Sequence, residues 1–120
     1  MNTEKNVLKT KSYDFAIRIV KLSQYLQHNR KEFVLSKQIL RSGTAVGALI
    51  REAEYGQSKL DFIHKLIISL KEANETEYWI NLLKDTGYIE DNLYKSILND
   101  CIELLRLLIS SIKTAKKHNE

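Results

Sequence analysis

Apolar residues recur along the chain with a period close to 3.6 in four stretches separated by short polar breaks, which predicts four helices. The first spans residues 12–28, with Phe15, Ile19, Leu22 and Leu26 as one stripe and Ile17, Val20 and Tyr25 widening it. Ser12 reads as its N-cap, and Asp14 suits the positive end of the helix dipole. "HNRKEFVL" follows as a polar loop. The second helix spans residues 36–54, capped by Ser36, with Ile39, Leu40, Val46, Leu49, Ile50 and Ala53 on its apolar side. Gly56 reads as the C′ residue that ends it. The third spans 59–85, opened by Ser58 and Asp61 in the manner of a capping box and closed by Gly87. The fourth spans 91–116 and carries two adjacent seams. Leu93, Ile97, Cys101, Leu104, Leu108 and Ile112 form one, and Leu98, Ile102, Leu105 and Ile109 form the other.

Short connections between long helices predict an all-α, up-down-up-down antiparallel four-helix bundle in a single domain of 120 residues. Residues 1–11 and 117–120 are expected to fray. The second seam of the fourth helix exceeds what one core needs, and an apolar face of that width usually marks a subunit contact.

The stretch "RSGTAVGALIREAEYG" sets Gly43 and Gly47 one turn apart inside a helix, each costing about 1 kcal/mol relative to alanine. It is no phosphate loop, because it lacks the Gly-Lys-Ser/Thr ending and follows no strand. Ser42, Gly43, Ala45, Gly47 and Ala48 are all small, so the expected return is the close approach of a second helix.

Composition is that of a globular chain: 43% hydrophobic, 28% charged and without proline, which suits unbroken helices. A single cysteine, Cys101, excludes an internal disulfide and a CxxC site, and its place in an apolar seam points to an inert thiol. The N-terminal residues contain no signal-type apolar run, and no stretch approaches the roughly 18 apolar residues of a membrane span. The expected location is cytoplasmic.

Net charge is +4 but uneven. Residues 1–60 hold eleven Lys and Arg against five Asp and Glu, and residues 61–120 hold eight against ten. A basic half suits phosphate partners. Lys37, Arg41, Arg51, Lys59 and Lys65 are the candidate phosphate contacts. Tyr13, Tyr25, Tyr55, Tyr78 and Trp79 are aromatic rings of the kind that stack on bases, although Trp79 at helical spacing suits a core or interface better. A dinuclear metal site would need Glu-x-x-His on two helices, and the chain offers only Asp61-x-x-His64. No cofactor, metal or catalytic residue is expected. The enzyme reading rests on Glu72, Glu75 and His64 alone.

The segments "LSKQILRSGT", "IREA" with "SKLDFIHKL", and "KEANETEYWINLL", together with "YDFAIRIVKLS", closely resemble the bacterial four-helix-bundle family of 23S rRNA intervening-sequence proteins. The resemblance runs from about Tyr13 to Ile112. It implies a ring-shaped homo-oligomer, by analogy a pentamer, and similarity in fold to an accessory protein of diversity-generating retroelements. It implies no enzymatic activity. The expected function is therefore non-enzymatic binding of structured RNA, or DNA, by an oligomeric bundle. The rival is a protein–protein adaptor for a nucleic-acid enzyme such as a reverse transcriptase. Gly43 and Gly47 on the second helix and Leu105 and Ile109 on the fourth are the candidate ring contacts. Leu49 stands where family members usually have asparagine, so a polar contact there would be replaced by an apolar one.

Overall fold

A computed structural model describes residues 3–118. Its four helices are α1 (Thr3–Asn29), α2 (Leu35–Glu54), α3 (Lys59–Asp85) and α4 (Asp91–His118), with no strand among the described residues. They form a four-helix bundle measuring 49 × 22 × 20 Å. α1 packs on α2 and α4, and α3 packs on the same two helices from the other side. The core runs through the predicted stripes of α1, α2 and α4, including Phe15, Ile19, Leu26, Ile39, Val46, Ile97, Leu104 and Leu108, and α3 completes it with Ile80 and Leu83.

The first helix departs from its predicted start. α1 begins at Thr3, so Ser12 is not its N-cap. Its seam reads Leu8, Ser12, Phe15, Ile19, Leu22, Leu26, alternating steps of four and three, and every member is buried. Ser12 occupies a core position, and its hydroxyl donates back to the Lys9 carbonyl at 3.1 Å. The fraying expected at the two ends does not hold over the described residues. Residues 3–11 and 117–118 are helical, while residues 1, 2, 119 and 120 lie outside the described residues. Buried Leu8 and two ion pairs, Lys9–Glu54 at 3.1 Å and Lys11–Glu103 at 3.2 Å, hold the first turns to α2 and α4. The predicted widening of the stripe fails, because Ile17, Val20 and Tyr25 face solvent.

The two helical glycines lie where α1 and α2 meet. A Cβ on Gly43 would stand 2.7 and 2.8 Å from the two γ-carbons of Ile19. One on Gly47 would stand 3.3 Å from the Ser12 carbonyl and hydroxyl oxygens. The small residues therefore serve a helix–helix approach within one chain. The other side of the same stretch faces α3, where buried polar groups meet. The Ser42 and Thr76 hydroxyls hydrogen-bond at 2.9 Å, and Ser69 donates to the Val46 carbonyl at 2.8 Å.

Ser36 is likewise not the cap of α2. That end is held by Glu32, a buried carboxylate that accepts from the backbone N–H groups of Val34, Leu35 and Ser36 at 3.2, 3.0 and 2.7 Å. Lys31, at φ 54°, turns the chain so that the Glu32 N–H reaches back to the Leu26 carbonyl at 3.0 Å. Burial alone would raise the Glu32 carboxyl, but the N–H donors of Leu35, Ser36 and Val34 outweigh it and hold the group below the ordinary glutamate range. At α3, Ser58 accepts from the Asp61 N–H at 3.0 Å as predicted, while Asp61 accepts from Gln57 rather than from Ser58. Gly87, at φ 82°, closes α3 in a Schellman motif, with the Tyr88 N–H on the Leu83 carbonyl at 2.9 Å and its own on Lys84 at 3.1 Å.

Gly43→Ala is expected to destabilise the fold by about 1–3 kcal/mol through overpacking against Ile19, outweighing the gain in helix propensity. Gly47→Ala, whose Cβ would press on the Ser12 backbone at 3.3 Å, is expected to destabilise less than Gly43→Ala, and urea denaturation measures both. Replacing Glu32 with alanine is expected to cost about 1–3 kcal/mol by leaving three N–H groups without their acceptor. Because the folded-state pKa of Glu32 is lowered, its contribution is present above the ordinary glutamate pKa and is lost as pH falls through the lowered value. Stability measured across acid pH should therefore fall less steeply in Glu32→Ala than in the wild type.

Candidate nucleic-acid interface

α2 and α3 carry the five basic residues singled out from the sequence, and the fold separates them into two groups. Lys37 and Arg41 lie toward the start of α2, and Arg51 lies near its end. Lys59 and Lys65 lie in the first turns of α3. The α2–α3 turn thus brings Arg51, Lys59 and Lys65 toward one end of the bundle and leaves Lys37 at the far end of α2, with Arg41 between.

Arg41 is already engaged. Its guanidinium bonds Glu72 at 3.1 Å and also pairs with Glu75, whose carboxylate accepts from the Trp79 indole N–H at 3.0 Å. Glu75 first and Glu72 next raise the Arg41 pKa above its ordinary value. Glu72 and Glu75 are thereby committed to a cross-helix clamp. His64 is exposed two turns earlier on α3, apart from that clamp. Among the described residues no three His, Cys, Asp or Glu side chains converge as a metal site requires. The Cys101 thiol, pushed up to about 12 by burial and then by Glu77 and Asp100, donates to the Ala73 carbonyl at 3.4 Å and is no nucleophile.

The end at the α2–α3 turn is more basic than the five predicted residues suggest. The first turns of α1, the last of α2, the first of α3 and the last of α4 line one cavity there. α4 consequently adds Lys113, Lys116, Lys117 and His118 to the same end. Along the chain these lysines lie more than fifty residues from Lys59, and only the tertiary arrangement brings them to the same end. The local carboxylates are mostly committed. Glu52 pairs with Lys65 at 3.1 Å, Glu54 with Lys9, and Asp61 with the Gln57 N–H. Arg51, Lys113, Lys116 and Lys117 form no ion pair among the described residues, and Lys59 lies 5.7 Å over the Phe62 ring. Tyr55, 81% exposed, projects from the turn itself.

The candidate ring contacts divide as well. Gly43 is buried against α1 and Gly47 half-buried against it. On α4, Leu105 is half-buried and Ile109 is exposed.

Comparison with known proteins supplies the relationship. The family model for the 23S rRNA-intervening sequence protein matches residues 4–110. The chain belongs to this family. A solved structure of similar fold is that of a protein of unknown function from the S23 ribosomal protein family of Bacteroides thetaiotaomicron VPI-5482. It is 60% identical, covers 92% of this chain and 99% of its own, and superposes with a TM-score of 0.91. No curated protein matches. Leu49 is half-buried on α2. No helix of the described residues is long and apolar enough to cross a membrane.

Trp79 is the only tryptophan, so its emission reports on the Arg41–Glu75 clamp. The Trp79 hydrogen bond and Arg41 hold the Glu75 carboxyl below the ordinary glutamate range against the effect of burial. The clamp is therefore intact above that range and is lost as pH falls through the lowered value. An acid titration of Trp emission should show a step below the ordinary glutamate pKa that is absent in Glu75→Ala.

Proposed function

We propose that this member of the 23S rRNA-intervening sequence protein family is a non-enzymatic, oligomeric bundle that binds structured RNA through the basic end at the α2–α3 turn. The observation that carries the reading is the set of cations Arg51, Lys59, Lys116 and Lys117 at one end, where Glu52, Glu54 and Asp61 already have partners. Such a cluster neutralises phosphates and releases counterions, with little base readout. Exposed Tyr55 adds a stacking surface at the edge. Lys37 and Arg41 contribute less, because Arg41 is clamped by Glu72 and Glu75. The setting is cytoplasmic, and no cofactor takes part.

Four long helices joined by breaks of four or five residues, in a body 49 Å long, favour an up-down-up-down course. Self-association into a ring needs two different patches that meet head to tail. The exposed stripe Tyr13, Ile17 and Val20 on α1 and Ile109 with Leu105 on α4 supply two such patches. A ring would repeat the basic end once per subunit and raise affinity through multivalency. The adaptor reading draws on Phe33 and Val34, exposed in the α1–α2 loop.

Binding of a labelled RNA hairpin, with native mass followed by light scattering, separates the two readings. Phosphate binding should fall steeply between about 50 and about 300 mM salt while the oligomer persists. Joint charge reversal of Arg51, Lys59, Lys116 and Lys117 should weaken binding at least about tenfold and flatten the salt slope, whereas Arg41→Gln should change little. Absence of binding at the lower salt would overturn the RNA reading and favour the adaptor.

A further inference from the structure

The chain has three histidines, and all three are exposed. Histidine is the one side chain whose charge ordinarily changes between about pH 5 and about pH 8. The fold gives the three different settings. His28 lies in the last turn of α1, and the 20 residues of α2 separate it from the α2–α3 turn. His64 lies on α3 beside Lys65, which Glu52 already holds at 3.1 Å. His118 lies in the last turn of α4 and lines the cavity at the basic end.

Three charged groups from the other helices line that cavity with His118: Lys9 of α1, Glu54 of α2 and Lys59 of α3. Lys9 and Glu54 compensate each other at 3.1 Å. Asp61, on the turn nearby, accepts from the Gln57 N–H at 3.2 Å. Lys59 remains, together with Lys116 and Lys117 from the last turn of α4, and none of the three forms an ion pair among the described residues. His118 therefore sits among cations whose counter-charge must come from outside the chain. A phosphate brought there supplies it, and an opposite charge within about 4–6 Å favours the charged form of a histidine. The charged ring offers two N–H donors where the neutral ring offers one.

We infer that His118 is a further phosphate-binding residue of the basic end, and that its protonation couples RNA binding to pH. The inference rests on the RNA reading above and adds a regulation to it. Linkage fixes the sign. A phosphate that favours the protonated ring is in turn bound more tightly by it, so affinity rises as pH falls through the histidine range.

The test uses the full chain and a labelled RNA hairpin, titrated at about pH 6 and about pH 8 over a salt series. Binding is expected to be about three- to tenfold tighter at the lower pH, with a salt slope steeper by about one, the signature of one added phosphate contact. His118→Gln should remove the pH effect and leave affinity at the higher pH within about twofold of the wild type. His118→Lys should bind at the higher pH as tightly as the wild type does at the lower, with no pH effect. His28→Gln and His64→Gln should keep the effect whole. A pH effect that survives in His118→Gln, or is lost in His64→Gln instead, would overturn the role given to His118. Binding that is equal at the two pH values in the wild type would overturn it too, and in either case phosphate binding by the lysines would stand. Absence of binding at both pH values in about 50 mM salt would overturn the RNA reading itself.

Discussion

The approach of α1 to α2 governs how the rest of the bundle is arranged. Where Gly43 meets Ile19 there is no room for a Cβ, and one turn later Gly47 faces Ser12 with little more. Two helices this close exclude large side chains along the shared line and fill it with backbone and small groups. The propensity cost of two helical glycines, about 1 kcal/mol each, is offset by that contact. The consequence extends to both neighbours. α1 must place Ser12 in an otherwise apolar seam, and α2 must turn Ser42 and Val46 toward α3, where Thr76 and Ser69 satisfy their polar groups.

Charge is distributed around this frame in two ways. Along the sides, cations are spent on holding helices together. Arg18 reaches Asp100 at 2.7 Å across α1 and α4, Arg41 joins α2 to α3, and Arg30 donates to the Gly87 and Tyr88 carbonyls at the end of α3. Exposed pairs of this sort add little stability singly, but they leave those cations poorly placed for an outside anion. At the α2–α3 end the balance differs. Lysines from the last turns of α4 join Lys59, and the nearby Glu52 and Glu54 already have partners. The basic half of the sequence thus becomes a basic end through packing, with α4 contributing although its half of the chain is net acidic.

Family membership and structural likeness agree on the architecture without supplying an activity, since the similar solved protein is itself of unknown function. The functional reading therefore stands on local chemistry: cations that form no ion pair among the described residues, with an exposed tyrosine at the same end. The carboxylates that suggested metal or acid–base chemistry have an ordinary structural use, because Glu72 and Glu75 hold Arg41 and Trp79.

Periodicity by itself determined that the chain is four helices, and placed three of them within a residue or two of their observed ends. Helical spacing of leucine and isoleucine is a local signal that survives without knowledge of partners. The Ser58 cap and the Gly87 stop were legible for the same reason, since both act within one turn of the chain. What escaped depended on distant residues. Ser12 and Ser36 have the chemistry of caps but are buried seam and interhelix groups, and Glu32 caps α2 from a loop that read as merely polar. The glycine stretch announced a close approach but not its partner, which lies on α1 of the same chain. Ile17, Val20 and Tyr25 fit the stripe but fall outside it once α2 and α4 define the core. The grouping of Lys116 and Lys117 with Lys59, and the cavity beside them, exist only because four helix ends converge, and no local pattern encodes that convergence.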